Sequence, residues 1–117
     1  MAARKVLFQS KYVAICGSDN MLWKTAQGMS LGHEFSGYIE DPGTFPFKKR
    51  ARVCAAEFNP CGKCKFCRNG QEQLCKQMMV DNPGVTMDGA FSEYVSVRGD
   101  FVCELPDDVP MELGAIT

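Results

Sequence analysis

Cys61, Cys64, Cys67 and Cys75 follow one another at C-x2-C-x2-C-x7-C, within fifteen residues of a 117-residue chain. Four thiolates so close in sequence can close around one tetrahedral ion, and Zn²⁺ accepts four sulfurs at roughly 2.3 Å. Gly62 and Gly70 relax the backbone where a tight loop must fold over a metal. Lys63, Lys65, Arg68 and Lys76 soften the negative charge of the thiolates. Spacing this dense reads as a metal site before it reads as a disulfide cluster or a set of buried thiols. Zinc leads. A [4Fe–4S] cluster stays open as the rival, because C-x2-C-x2-C also begins the bacterial ferredoxin run. That run continues x3-C-P, whereas here the fourth cysteine comes later and Lys76 follows it.

A second set of chemically able residues is more scattered. Cys16 opens Cys-Gly-Ser-Asp, and His33, the single histidine of the chain, stands beside Glu34. A lone histidine is more often a structural or surface residue than a ligand. The adjacent Glu34, and Cys16 at the end of the preceding predicted strand, weigh toward a functional one.

The elements that must position these residues are short. Residues 5–15 alternate imperfectly, with Val6, Phe8, Tyr12 and Ala14 on one face and Leu7, Val13 and Ile15 on the other. That pattern predicts a well-buried strand, which runs into Cys16. Ser18 or Asp19 can then cap a short helix over residues 21–24 that Gly28 would end. Gly32 and Gly37 bracket a strand carrying His33. Pro42, Gly43 and Pro46 break the chain into a loop. Residues 52–58 predict a strand leading into the cysteine lobe, at about 58–80, with Cys54 as a core thiol. Residues 89–97 alternate, predicting a half-buried antiparallel strand, and residues 101–105 predict another. Asp107 or Asp108 offers a cap for a final helical start at 110–116. Short strands with turn signals and no βαβ alternation indicate an all-β barrel or sandwich, with a few short helices. No G-x-G-x-x-G follows a strand, so nothing reads as a dinucleotide-binding unit.

Bulk properties agree with one domain and one modest core: 45% hydrophobic and 23% charged residues are globular values. The net charge of −1 argues against a general nucleic-acid or membrane binder, and the cysteine spacing differs from a C-x2-C…H-x3-H finger. No apolar run approaches the ~20 residues of a membrane span, and the N-terminus reads as too soon polar for a secretory signal. Seven cysteines, four of them clustered, fit a reducing compartment, and so a cytoplasmic location, better than a secreted disulfide frame.

Five stretches, in order, resemble the N-terminal GroES-like catalytic domain of the zinc-dependent medium-chain alcohol and polyol dehydrogenases. They are Cys16-Gly17-Ser18-Asp19; Gly32-His33-Glu34-Phe35-Ser36-Gly37 with Gly43; Cys61 to Gly70 with Leu74-Cys75; Gly89-Ala90-Phe91-Ser92-Glu93-Tyr94-Val95; and Leu105-Pro106-Asp107-Asp108-Val109. The wording is closest to the sorbitol, galactitol-phosphate and threonine dehydrogenase branch. The resemblance implies a GroES-like, partly open barrel with a zinc lobe, and two zinc sites. Cys61, Cys64, Cys67 and Cys75 would hold the structural ion. Cys16 and His33 would hold the catalytic one, with Glu34 as an alternative ligand or a supporting group. Asp19 would accept the His33 ring N–H, and Ser18 would relay the proton of the alcohol. The chemistry implied is zinc-assisted hydride transfer from an alcohol or polyol to NAD(P)⁺.

Three departures from that family shape the expectation. The family domain begins about one hairpin before Lys5, so a strand edge would be exposed and could pair two copies. The family's third catalytic ligand falls just after Thr117, leaving two or three ligands and a weak site. A nucleotide-binding domain is missing from residues 1–117. Arg50-Ala51-Arg52-Val53 replaces the family's Gly-Asp-Arg-Val turn, and Pro46 replaces a small or β-branched residue. The expected function is therefore that of one domain, incomplete at both ends, which binds zinc and does not oxidise alcohol by itself. The alternative is a stand-alone zinc-binding interaction module.

Overall fold

Alternating apolar residues in Lys5–Ala14 leave one side of the chain that must be covered, and four other short runs supply the cover. A computed structural model describes residues 4–26, 28–56 and 58–116. Its strands are β1 (Lys5–Ala14), β2 (Glu34–Asp41), β3 (Arg52–Ala55), β4 (Tyr94–Arg98) and β5 (Val102–Glu104). Three single-turn helices punctuate them: α1 (Asp19–Leu22), α2 (Lys65–Arg68) and α3 (Met111–Gly114). The strands form one antiparallel sheet in the order β4-β1-β2-β3-β5. It is an open sheet, as expected for a partly open GroES-like fold, with β4 and β5 as its edges.

The core lies on one face. Val6 and Phe8 of β1 meet Val97 and Val95 of β4 in register, and Phe35, Ile39, Val53 and Val102 complete the buried set. The Phe8 and Phe35 rings meet edge to face, 5.0 Å between centroids. That geometry adds about 1 kcal/mol to the area each ring buries. Truncating Phe8 to alanine is expected to cost about 4 kcal/mol, read as a fall in the urea midpoint.

Several boundaries differ from the sequence pattern, each for a local reason. β1 is well buried only in its first half. A bulge at Lys11, where Ser10 pairs with Gly37 and Tyr12 with Ser36, reverses the inward phase. Val13 packs on the core as a result, and Tyr12 turns outward. There it meets α3: the Tyr12 phenol donates to the Glu112 carboxylate, which raises the phenol's pKa. Ser36 donates to the Met111 carbonyl beside it. β2 starts late and β4 later still, because residues 30–32 bond instead to residues 89–91. Cys54 is half-buried on the outer face rather than in the core. The cap of α3 is Pro110, not Asp107 or Asp108. The loop before it is held by the Arg52 guanidinium, which donates to the carbonyls of Pro106, Asp107 and Val109.

Candidate metal centres

Residues between β3 and β4 leave the sheet to form the cysteine lobe. Its closure is a backbone bond from the Asn59 N–H to the Met78 carbonyl, 3.0 Å. The four cysteine sulfurs converge, all within 4.8 Å of one another. The Cys61 and Cys67 sulfurs are 3.9 Å apart and the Cys64 and Cys67 sulfurs 3.5 Å. Four sulfurs at 2.3 Å from a zinc ion would stand about 3.8 Å apart, so the lobe fits that ion.

Backbone N–H groups already face the sulfurs. Cys67 N–H points at Cys64 Sγ and Cys61 N–H at Cys75 Sγ. The backbone N–H groups of Lys63 and Cys64 hold the Cys61 thiol down to about 6, and the Cys67 N–H lowers that of Cys64. Burial pushes the Cys67 thiol up to about 12. Backbone N–H groups that favour the thiolate at Cys61 and Cys64 prepare two of the four sulfurs for a cation.

The second group is assembled across two segments. Cys16 stands just before the turn that links β1 to α1, His33 is fully buried just before β2, and Glu34 is the first residue of β2. One donor atom from each lies within 4.8 Å of the others. A thiolate, an imidazole nitrogen and a carboxylate oxygen are a zinc donor set, and bonded donors would stand roughly 3.3–3.8 Å apart. Small side-chain adjustments bring these three to that spacing, so they also fit the ion.

Asp19 is buried and serves both neighbours. Its Oδ2 accepts the Cys16 backbone N–H at 2.8 Å, and its Oδ1 faces His33 Nδ1 at 3.5 Å. Ser18 Oγ lies 3.2 Å from His33 Nε2. These contacts explain why neither residue caps α1 with its side chain: both are turned toward the site.

Two features that position the site were not read from the sequence. Gly32, Gly84 and Gly89 pack backbone against backbone immediately before His33. A Cβ on Gly89 would stand 2.4 Å from the Gly32 carbonyl oxygen, and one on Gly84 would stand 2.6 Å from the same residue. Asn-Pro-Gly at 82–84 signalled only a turn. Asn82 is also fully buried, and its Oδ1 has no hydrogen-bond partner among the described residues. It helps line a cavity of about 280 Å³ with Cys16, Ser18, His33, Phe58 and Met79. Cys16 and Asp19 also reach a larger cleft of about 660 Å³, at whose mouth Ile15 and Trp23 stand exposed.

Comparison with known proteins gives a consistent set of similarities. A profile of the family described as alcohol dehydrogenase GroES-like domain matches residues 2–107. The chain is 37% identical to an L-threonine 3-dehydrogenase of Sinorhizobium fredii, over 95% of its own length and 34% of the relative's. The solved galactitol-1-phosphate dehydrogenase of Escherichia coli superposes on 99% of the chain with a TM-score of 0.85 and 32% identity, and the match covers 35% of that enzyme. A zinc-binding dehydrogenase of Sinorhizobium meliloti, solved with NADP, gives a TM-score of 0.86 at 27% identity over 99% of the chain and 35% of that protein. The chain thus spans about a third of the length of the relatives it matches. Among the described residues, no helix is long and apolar enough to cross a membrane.

Proposed function

Since the chain belongs to the alcohol dehydrogenase GroES-like domain family, we propose that it is the zinc-binding, catalytic-domain portion of an NAD(P)-dependent alcohol or polyol dehydrogenase. The observation that carries this reading is the convergence of Cys16, His33 and Glu34 beside the Ser18 hydroxyl. Cys16, His33 and Glu34 would hold one zinc ion, and Cys61, Cys64, Cys67 and Cys75 a second, structural one. When bound at the first site, zinc polarises the oxygen of a substrate hydroxyl and lowers its pKa.

The chain's own residues account for the rest. Asp19 fixes two donors with one carboxylate, through the Cys16 backbone and the His33 ring. A proton on Nδ1, facing Asp19, leaves the Nε2 lone pair on the side of Ser18 and the cavity. The Ser18 hydroxyl can accept the proton of an alcohol there and pass it outward. Phe58 and Met79 keep that cavity apolar. Asn82, which lines that cavity and whose Oδ1 has no hydrogen-bond partner among the described residues, offers a buried acceptor for a second donor group on the substrate, which suits a polyol or an amino alcohol better than a simple alkanol.

Hydride transfer needs a nicotinamide, and the relative solved with NADP is about three times the length of this chain. In this reading residues 1–117 are one domain, Ile15 and Trp23 border the face that meets a cofactor domain, and the chain alone binds zinc without turnover. It would work in the cytoplasm, and its open edges could pair two copies. The test is a zinc titration of purified protein with and without His33→Ala. The substitution is expected to weaken the second zinc equivalent at least ~100-fold while the first stays bound. Equal affinity in both proteins would favour the alternative, a zinc-binding interaction module that holds a partner through an exposed sheet edge or the Cys16 and His33 face. Measurable NAD(P)⁺-dependent alcohol oxidation by the chain alone would overturn the part of the reading that makes it inactive by itself.

A further inference from the structure

Two cysteines outside both metal groups face each other across the edge of the sheet. Cys54 of β3 is paired in register with Cys103 of β5. Directly opposed residues of an antiparallel pair project to the same side. Here it is the outer face: Val53 and Val102, on the alternate positions, are in the core, while Cys54 is half-buried and Cys103 exposed. The flanking backbone bonds run from Leu105 N–H to the Arg52 carbonyl, 2.8 Å, and from Ala56 N–H to the Phe101 carbonyl, 2.9 Å. By the alternation of the ladder, Cys54 and Cys103 are therefore a hydrogen-bonded pair, whose Cα atoms stand about 5.5 Å apart. That separation lies within the range a disulfide spans. The Cβ atoms of such a pair sit wider than a relaxed bridge prefers, so a bridge here would be strained and readily reduced.

We propose that Cys54 and Cys103 are a reversible oxidation site that takes a small disulfide such as glutathione disulfide and closes into a cross-strand bridge. The exposed Cys103 thiolate attacks one sulfur of the glutathione disulfide. A Cys103–glutathione bond forms, and one glutathione leaves as thiolate. The Cys54 thiolate then attacks the Cys103 sulfur, forming the internal bond and expelling the second glutathione. Two protein thiols are oxidised, one disulfide is reduced to two thiols, and the two protons pass to the departing thiolates. The bridge ties edge strand β5 to β3 and encloses the cysteine lobe and β4 in one covalent ring. It needs neither metal site to be catalytic.

Treating the zinc-loaded chain with glutathione disulfide, then denaturing, chelating and alkylating it, tests this. The expected product carries no glutathione, has two fewer alkylatable thiols than the seven of the reduced chain, and yields one digest peptide joining residues 54 and 103. Zinc content should be unchanged, and excess glutathione should reverse the bond. In Cys54→Ser one glutathione should remain on Cys103, and in Cys103→Ser the joined peptide should be absent. A wild-type chain that keeps glutathione on Cys103 with no joined peptide overturns the proposal. So does oxidation that goes first to the lobe cysteines with loss of zinc.

Discussion

Complete removal of zinc by a chelator is expected to lower the melting temperature of the chain by more than ~10 °C, and the double substitution Cys61→Ser with Cys64→Ser to abolish soluble expression. The reason is the make-up of the lobe. Between residues 58 and 80 only Asn59 and Cys75 are buried, and α2 has no buried residue. Without the metal, little apolar surface holds this long excursion in place. Structural zinc sites contribute on the order of 10 kcal/mol of binding free energy, which compares with the whole stability of a small domain, about 5–15 kcal/mol. No other interaction in the lobe approaches that size.

The same site sets a pH dependence. The Cys61 thiol, lowered to about 6 by the Lys63 and Cys64 N–H groups, is more acidic folded than unfolded. Its contribution is therefore complete above the unfolded thiol pKa and is lost as the pH falls through about 6. Metal binding runs the same way, since protons compete for every sulfur. Melting temperature with zinc should fall steeply below a pH of about 6. The Cys67 thiol, raised to about 12 by burial, acts oppositely in the metal-free chain: its contribution is complete below the unfolded thiol pKa and is lost as the pH rises toward 12. Scanning fluorimetry with zinc and with chelator across this range reads both slopes. An unchanged melting temperature after verified zinc removal would refute the structural role.

Gly89→Ala is the second large effect expected. Its new Cβ would stand 2.4 Å from the Gly32 carbonyl oxygen, 2.5 Å from the Gly84 Cα and 2.5 Å from the Leu31 carbonyl oxygen. All three are backbone atoms, so no rotamer change relieves the contact and a chain segment must move. Overpacking of this kind costs about 3 kcal/mol. The displaced segment carries the backbone bonds from Gly89 to Ser30 and from Ala90 to Gly32, directly before His33. Zinc affinity at the Cys16, His33 and Glu34 group should therefore fall more than ~10-fold, beyond what a merely less stable fold would cause. Gly17→Ala is the matched control: it lies next to Cys16, with nothing within 4 Å of its Cβ position, and should leave both readouts close to wild type. Urea unfolding and zinc titration of the two variants make the comparison. Equal effects of the two substitutions would show that the three-glycine contact does not position the site.

The sequence by itself determined the lobe and the class of fold. Ligand spacing within fifteen residues is a local property, and a turn of chain that short brings its sulfurs together wherever it is placed. Alternation in β1 and β4 likewise placed Val6, Phe8, Val95 and Val97 in a common core, because strand periodicity sends every second side chain to one side. The five stretches also marked Cys16, Ser18, Asp19, His33 and Glu34 as candidates. What they do to each other is long-range. Only the packing of residues 30–32 against 84–91 decided where His33 sits, because the contact is made by glycine backbones that carry no hydrophobic pattern. Only the bulge at Lys11 decided that Val13 and not Tyr12 faces the core, since an extra residue in one strand is set by its partner's register. The opposition of Cys54 and Cys103 belongs to the same class. Forty-nine residues separate them in the chain, and the antiparallel register of β3 and β5 alone brings them together.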